Sequence, residues 1–287
     1  MEVDKRGLVA TMLAGLLFGT SVPVIKLGLG FIPPDTFVTL RFSFASALIV
    51  LLQGRGWVQW GLFRSRQIWI IGFINALGYV LQFQGQLVTS SSNAALIIST
   101  AALMIPVLSL AYVHEKMGMR KIAGVLSGFI GIVLLVTRGQ AVSLGSSEVL
   151  GDLLILGTAV TIALVFVLSK DLVEKRRGRP VTGGIIFVTA VLLLPTVPFD
   201  LSTSINLAPV ALFYVVFLAV FATVGAYYFF MKGLESVSPT ISSIILPIEV
   251  VVAVTLSVII FGDPFNLYSG TGAFLIIAGV TLVSSAA

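Results

Sequence analysis

The stretch "KIAGVLSGFIGIVLLV", residues 121–136, returns near the C-terminus as "SGTGAFLIIAGVTLVS", residues 269–284. In that register Gly124 meets Gly272 and Gly131 meets Gly279. The same offset sets "QGQLVTSSSNAAL", residues 84–96, on "KGLESVSPTISSI", residues 232–244, so that Gly85 meets Gly233, Tyr79 meets Tyr227 and Glu115 meets Asp263. At a slightly smaller offset, "GLVATMLAGLLFGTSVPVIK" (7–26) pairs with "GDLLILGTAVTIALVFVLSK" (151–170), which brings Lys26 onto Lys170. Self-similarity over this length marks two homologous units, expected at residues 1–139 and 140–287.

What surrounds those units follows from composition. Hydrophobic residues make up 57% of the chain and charged residues 10%, with mean hydropathy +1.11; ordinary soluble domains carry about 25% charged residues. A bilayer core needs about 20 apolar residues per helix, and such runs recur with short polar breaks. Ten spans are expected: 8–28, 35–53, 68–87, 93–114, 122–137, 151–169, 181–198, 209–231, 241–261 and 268–284. The fold class is therefore an all-α integral membrane protein of about ten transmembrane helices. No segment is left for a soluble catalytic or nucleic-acid-binding domain. Lys5 and Arg6 before the first span resemble the start of a secretory signal, but the apolar stretch is long and has no A-x-A site, so it reads as a mature helix.

The basic residues report orientation. Lys5 and Arg6 precede span one; Arg55, Arg64 and Arg66 follow span two; Lys116, Arg120 and Lys121 follow span four; Lys170, Lys175, Arg176, Arg177 and Arg179 follow span six; and Lys232 follows span eight. That places 14 of the 17 basic residues on one side, which the positive-inside rule makes cytoplasmic. Both termini should be cytoplasmic in a multi-pass cell-membrane protein. The run "KDLVEKRRGRP" then reads as a loop near lipid headgroups. The chain has no cysteine, which removes disulfides and thiolate metal sites.

With five spans per unit, an odd number, the second unit enters the membrane from the opposite side. The repeats are expected to be inverted, an arrangement that lets two halves exchange inward-open and outward-open shapes about a central site. The residues also carry a resemblance. "GLLFGTSVPVIKLGL", the "LRF" at Leu40–Phe42, "SSSNAALIIS", "HEKMGMRKIAGVLSGFIGIVLL" and "ESVSPTISSIILPIEVVVAVTLSVIIFGDPFNLYSGTGAFLIIAGVTLV" together resemble the drug/metabolite transporter superfamily, in particular its ten-span members with two EamA domains. The resemblance covers nearly the whole chain. Asp263 stands where that family usually has Glu, and the proline often found next to the Glu249 position is here Pro247.

Several polar residues sit where lipid would be. Glu249 lies inside an apolar run; an acidic residue at a helix centre costs about 2.5–3.5 kcal/mol on insertion scales. It reads either as a proton-coupling or cation-contacting group in a central cavity or as a structural hydrogen-bonding group. Asn75, Tyr79, Gln82 and Gln86 follow the spacing of one helix face; in the repeat register Asn75 maps to Thr223, Tyr79 to Tyr227 and Gln82 to Phe230. The candidate substrate-binding set is Asn75, Tyr79, Gln82, Thr223, Tyr227 and Glu249. Lys26 reads as an anchor at the outer interface. Arg41, about a turn below the outer surface, reads as able to snorkel, to pair with Asp35 or, by the resemblance, to pack as that family's recurrent arginine, with substrate contact as the remaining alternative. The glycines at 15, 19, 124, 128, 131, 272 and 279 read as close helix contacts, and Pro106, Pro195 and Pro247 as kinks.

Membrane enzymes are disfavoured. There is no HExxH, no GxGD and no cysteine, and the single histidine, His114, ends a helix. A channel would show a filter loop or charge rings. The expected function is a secondary transporter of a small organic metabolite, amino-acid or amine-like, exporting by alternating access with proton coupling. The other reading within this architecture is a sugar-phosphate or nucleotide-sugar exchanger or a lipid-linked sugar flippase. No cofactor, metal or nucleic acid is expected; the partners are the metabolite and membrane lipids, the protein being a monomer or homodimer.

Overall fold

The computed structural model describes residues 5–52, 56–113, 118–137, 147–200, 207–236, 247–262 and 266–285. The helices are α1 (Lys5–Gly19), α2 (Ser21–Gly28), α3 (Pro34–Leu51), α4 (Arg66–Val88), α5 (Ser91–Ser99), α6 (Ala101–Val113), α7 (Met119–Thr137), α8 (Ser147–Arg176), α9 (Gly178–Leu193), α10 (Pro209–Phe217), α11 (Ala226–Leu234), α12 (Pro247–Phe261) and α13 (Leu267–Ser285). A π-helical turn, Leu218–Gly225, joins α10 to α11. No strand occurs among the described residues.

Six of these helices, single or joined, are long and apolar enough to cross a bilayer: Arg6–Gly28, Pro34–Leu51, Arg66–Val88, Ser147–Arg176, Gly178–Pro198 and Pro209–Leu234. Shorter apolar helices occupy Ser91–Ile105, Ile122–Gly131, Ile248–Phe261 and Gly270–Gly279. The ten expected spans fall on these ten pieces. The start of the ninth span, the kink at Pro247, the unit boundary near residue 139, His114, Glu115 and Asp263 lie wholly or partly outside what is described.

Side-chain placement is that of a protein solvated by hydrocarbon. Phe73, Phe129, Phe213, Ile259 and Phe274 are more than half exposed, while Arg41, Asn75, Gln82, Gln86, Asp152 and Thr223 are buried. Polar groups turn inward because lipid offers them no hydrogen-bond partner.

Two expected continuous spans are broken. Pro23 has no N–H to give the carbonyl four residues back, and its ring crowds that turn; α1 accordingly stops at Gly19 and α2 restarts at Ser21. The equivalent position in the second unit is Val167, and α8 runs unbroken from Ser147 to Arg176. The fourth span divides at Thr100, where the Ser99 and Thr100 hydroxyls donate to the carbonyls of Leu96 and Ile97 at 2.5 and 2.6 Å.

Packing between the units repeats under exchange of spans one to five with six to ten. α1 packs on α11 as α4 packs on α8. α1 packs on α12 as α6 packs on α8, and α4 on α9 as α3 on the π turn. Spans two and seven (α3, α9), four and nine (α5, α12) and five and ten (α7, α13) pair with their own equivalents. The glycines show the same relation. A Cβ on Gly131 would stand 2.7 Å from the Gly272 carbonyl oxygen, and one on Gly279 would stand 2.5 Å from that of Gly124. The α7–α13 contact is thus backbone on backbone, with no room for a side chain.

Gly279→Val should therefore force α7 and α13 apart. Overpacking of this kind costs about 1–3 kcal/mol, and the expected outcome is a clearly lower melting temperature in detergent. An unchanged melting temperature would contradict the contact.

Candidate functional site

A cavity of about 30 Å³ lies between the units, lined by Phe18, Ser21, Val22, Tyr79, Gln82, Ile98, Ile162, Phe166, Tyr227 and Glu249. Three pairs in this lining are repeat equivalents: Phe18 with Ile162, Val22 with Phe166, and Tyr79 with Tyr227. The cavity therefore sits where the two units meet symmetrically. Its polarity is not symmetric, because Ser21, Gln82 and Glu249 correspond to Val165, Phe230 and Ala101.

Glu249 reaches the cavity from the first turn of α12. α1 can come this close because residue 19 is glycine; a Cβ there would stand 2.7 Å from the Glu249 carbonyl oxygen. Among the described residues its carboxylate has no hydrogen-bond or ion-pair partner. Tyr227 is held differently. Its hydroxyl donates to Asn75 Oδ1 at 2.5 Å, Asn75 Nδ2 donates to Thr189 Oγ1 at 3.0 Å, and Thr189 Oγ1 donates to the Gly72 carbonyl at 3.4 Å. That chain fixes the ring, which Phe18 meets edge-on at 5.5 Å.

Of the six expected site residues, Tyr79, Gln82, Tyr227 and Glu249 line one space, with the two tyrosines on opposite units. Asn75 and Thr223 do not line it. Asn75 stands behind Tyr227, and Thr223 accepts a 2.7 Å hydrogen bond from Arg41 Nε. The fourth member of the α4 face, Gln86, is fully buried with both amide atoms unpartnered among the described residues.

Arg41 corrects the sequence reading. It neither snorkels nor turns to Asp35, whose Oδ2 accepts from Gln84 at 3.2 Å. It is wholly buried and points inward, with Nη1 donating to Ser21 Oγ at 3.2 Å and Nη2 to the Ala222 carbonyl at 3.0 Å. Its guanidinium carbon lies 4.9 Å from the centre of the Tyr79 ring. The π turn brings Ala222 and Thr223 to it together. Its depth along the span misled, and nothing in the sequence marks the π turn that receives it.

Related contacts satisfy the carboxyl ends of two equivalent helices, one in each unit. Lys26 Nζ donates to the carbonyls of Gln86, Leu87 and Thr89 at 2.6, 3.3 and 2.8 Å, satisfying the carboxyl end of α4, where a cation also meets the helix dipole. Its equivalent Lys170 does the same for α11, donating to the Leu234 carbonyl at 2.8 Å. At the Lys26 end the Thr89 hydroxyl donates to buried Asp152. At the Lys170 end Glu235 accepts from the Gly178 backbone N–H at 2.7 Å and from Lys232 Nζ at 2.5 Å.

Comparison with known proteins now becomes decisive. The model of the EamA-like transporter family matches residues 5–137 and again residues 149–285. The chain belongs to the EamA-like transporter family. Among relatives, it is 27% identical to the uncharacterized transporter YyaM of Bacillus subtilis (strain 168), over 93% of this chain and 89% of that one. It is 24% identical to an uncharacterized transporter of Archaeoglobus fulgidus, over 93% of this chain and 94% of that one. A solved crystal structure superposes with a TM-score of 0.69 at 20% identity, covering 96% of this chain and 95% of the other; that likeness speaks to the fold. The chain is thus a transporter of the EamA type, as its motifs implied, and its cavity lies in a membrane-embedded helical bundle.

Glu235 supplies a pH test of the contacts at the Lys170 end. Burial pushes its carboxyl up, but Lys232, the Gly178 N–H and Arg177 outweigh this and hold it below the ordinary glutamate range. A depressed value means that the contact stabilises the folded protein above the ordinary range and is lost as pH falls through the depressed one. The melting-temperature difference between wild type and Glu235→Gln should be steady from about pH 6 to 8, begin to shrink as pH falls through the ordinary glutamate range, and vanish only below the depressed value. A difference that persists at acidic pH would contradict this.

Proposed function

We propose that this EamA-type transporter carries a small ammonium-bearing metabolite, of the amino-acid or amine class, by alternating access through the cavity between its units. One observation carries the reading: Glu249, a carboxylate within the membrane, opens onto that cavity with no hydrogen-bond or ion-pair partner among the described residues. A carboxylate so placed marks a substrate or ion pathway. An ammonium group gives it the missing charge, and Tyr79 and Tyr227 offer flat aromatic faces to the cargo body. Asn75 and Thr223 serve as positioning residues, the first for Tyr227 and the second for Arg41.

As it stands the cavity holds about two water molecules, whereas organic ligands occupy pockets of about 300 Å³ or more. This is an occluded form, and cargo enters when spans part at one end. Inverted five-span units, with boundaries at 1–139 and 140–287, make the two openings equivalent. The basic loops orient both termini to the cytoplasm of a cell membrane, the direction of transport being export. Proton entry through Glu249 is the coupling step: the carboxylate holds either a proton or the cargo ammonium. A sugar-phosphate exchanger would need paired cations for its phosphate, and Arg41 is the one basic side chain beside this cavity among the described residues.

Thermal-shift measurements on purified protein against amino acids, amines, nucleosides and sugar phosphates test the reading, since a ligand at a hundred times its Kd stabilises by about 2.7 kcal/mol. Stabilisation should be confined to ammonium-bearing compounds and lost in Glu249→Gln. In liposomes that variant should fold while its transport loses pH dependence. Equal stabilisation of both proteins by sugar phosphates or nucleosides, or a wild-type rate and pH profile in the variant, would make Glu249 a structural group.

A further inference from the structure

A groove of about 360 Å³ lies in the seam between α1 and α11, lined by Arg6, Val9, Ala10, Leu13, Phe229 and Lys232. On α1 the four lining residues fall at i, i+3, i+4 and i+7, one stripe of the helix, and on α11 the two fall at i and i+3. The helices run antiparallel: a Cβ on Gly233 would stand 2.3 Å from Thr11 Oγ1 and 3.2 Å from the Gly7 carbonyl oxygen, while Phe18 meets Tyr227. Arg6 begins one stripe and Lys232 ends the other. Both cations therefore stand at one end of the groove, and apolar side chains line the rest. Arg6, Val9, Leu13 and Lys232 are exposed and Ala10 is buried, so the groove opens to the surrounding hydrocarbon with Ala10 on its floor.

The repeat supplies an internal comparison. The related seam lies between α8 and α4, where Val9, Ala10, Leu13 and Phe229 correspond to Leu153, Leu154, Gly157 and Leu81. Its apolar character is repeated. The cations are not: Arg6 corresponds to Leu150, and Lys232 to Gln84, which donates to Asp35. An apolar chain gains little by leaving the bilayer for such a seam, because lipid tails are as apolar as leucine. What distinguishes the α1–α11 seam is its charged end. Lys232 gives one of its three N–H donors to Glu235 and keeps others for a phosphate oxygen, and Arg6 brings the planar fork that fits phosphate.

We propose that this groove binds an anionic phospholipid, with the phosphate between Arg6 and Lys232 and an acyl chain along Val9, Leu13 and Phe229. Charge complementarity chooses the occupant: a cationic end at the start of a membrane helix and an apolar run below it match a negative headgroup with its chain. The site is separate from the cavity that Glu249 lines and does not depend on the cargo assigned there. Its lipid belongs to the leaflet on the side of the basic loops, where anionic headgroups attract Lys and Arg. Bound there, it touches both helices and ties the first span to the eighth at the end where Lys170 and Glu235 make their contacts.

Native mass spectrometry of the purified full chain in detergent tests this with dioleoyl phosphatidylglycerol, with dioleoyl phosphatidylcholine, which has the same chains and no net charge, and with glycerol 3-phosphate, which has phosphate without chains. The proteins are wild type, Arg6→Gln/Lys232→Gln, Leu13→Trp, which fills the groove, and Lys175→Gln/Arg176→Gln, which removes equal charge at exposed positions outside it. Wild type should retain phosphatidylglycerol about tenfold or more tightly than phosphatidylcholine, from two cations acting on one headgroup. That preference should fall to near one in Arg6→Gln/Lys232→Gln and persist in Lys175→Gln/Arg176→Gln, and Leu13→Trp should weaken retention of phosphatidylglycerol. Equal retention of the two lipids by wild type overturns the proposal, and this arm needs no variant. Equal loss in both double variants also overturns it, since diffuse charge then suffices. So does unchanged retention in Leu13→Trp, which leaves a headgroup contact without a groove, and so does displacement of the lipid by glycerol 3-phosphate. A lipid-free dimer that is lost in Arg6→Gln/Lys232→Gln gives the seam to a second copy of the chain and overturns it as well.

Discussion

An ionised guanidinium in the middle of a bilayer must be solvated by protein, because nothing else there can do it. Arg41, on α3, is solvated by two other spans at once: by Ser21 where the first span restarts after its break, and by Ala222 and Thr223 on the π turn of the eighth. Each of those local irregularities has a use in this contact. The interruption near Pro23 gives Ser21 its place, and the π turn presents a carbonyl and a hydroxyl side by side. The ring of Tyr79 closes the remaining face. The aromatic and polar wall of the cavity follows from that arrangement, with Tyr227 braced from behind by Asn75 and Thr189.

Around this centre the scaffold is symmetric and the chemistry is not. The contacts of α1 with α11 and of α4 with α8 are one contact used twice, and Lys26 and Lys170 close the carboxyl ends of equivalent helices. On the proposed alternating-access reading, such equivalence supplies two gates of similar construction, the condition for exchanging them at small energetic cost. Ser21, Gln82 and Glu249 break the symmetry, since their equivalents are Val165, Phe230 and Ala101. The gates also differ in detail: a buried Thr89–Asp152 pair at one end, and Glu235 between Gly178 and Lys232 at the other. The proposed function assigns selectivity to the departures and movement to what is shared.

Much of this was legible in the chain. Hydropathy and the repeated glycine pattern gave ten spans and two related units, because both follow from length and from backbone contact that only glycine permits. Tyr79, Gln82, Tyr227 and Glu249 were legible because a polar group at membrane depth has few places to go. Arg41 was misread: its distance along the span suggested the surface, and sequence position does not show that a neighbouring span will offer a π turn to receive it. Asn75 was assigned to the cavity from helical spacing and Thr223 as its repeat equivalent; neither signal gives the depth at which a side chain stops. The break at Thr20 follows from Pro23, a proline passed over in favour of three others.

The proposed function requires that the small cavity between the units open to one side at a time, by parting at the Lys26 or the Lys170 end. Spin labels on exposed positions, Leu87 with Leu150 beside the Lys26 closure and Glu174 with Met119 toward the other end, read each closure by pulsed electron resonance in nanodiscs. The account predicts that conditions favouring one opening lengthen distances at that end while the other stays closed, and that Glu249→Gln shifts the balance between the two. Both ends opening together, or neither moving when a bound amino acid is added, would contradict it.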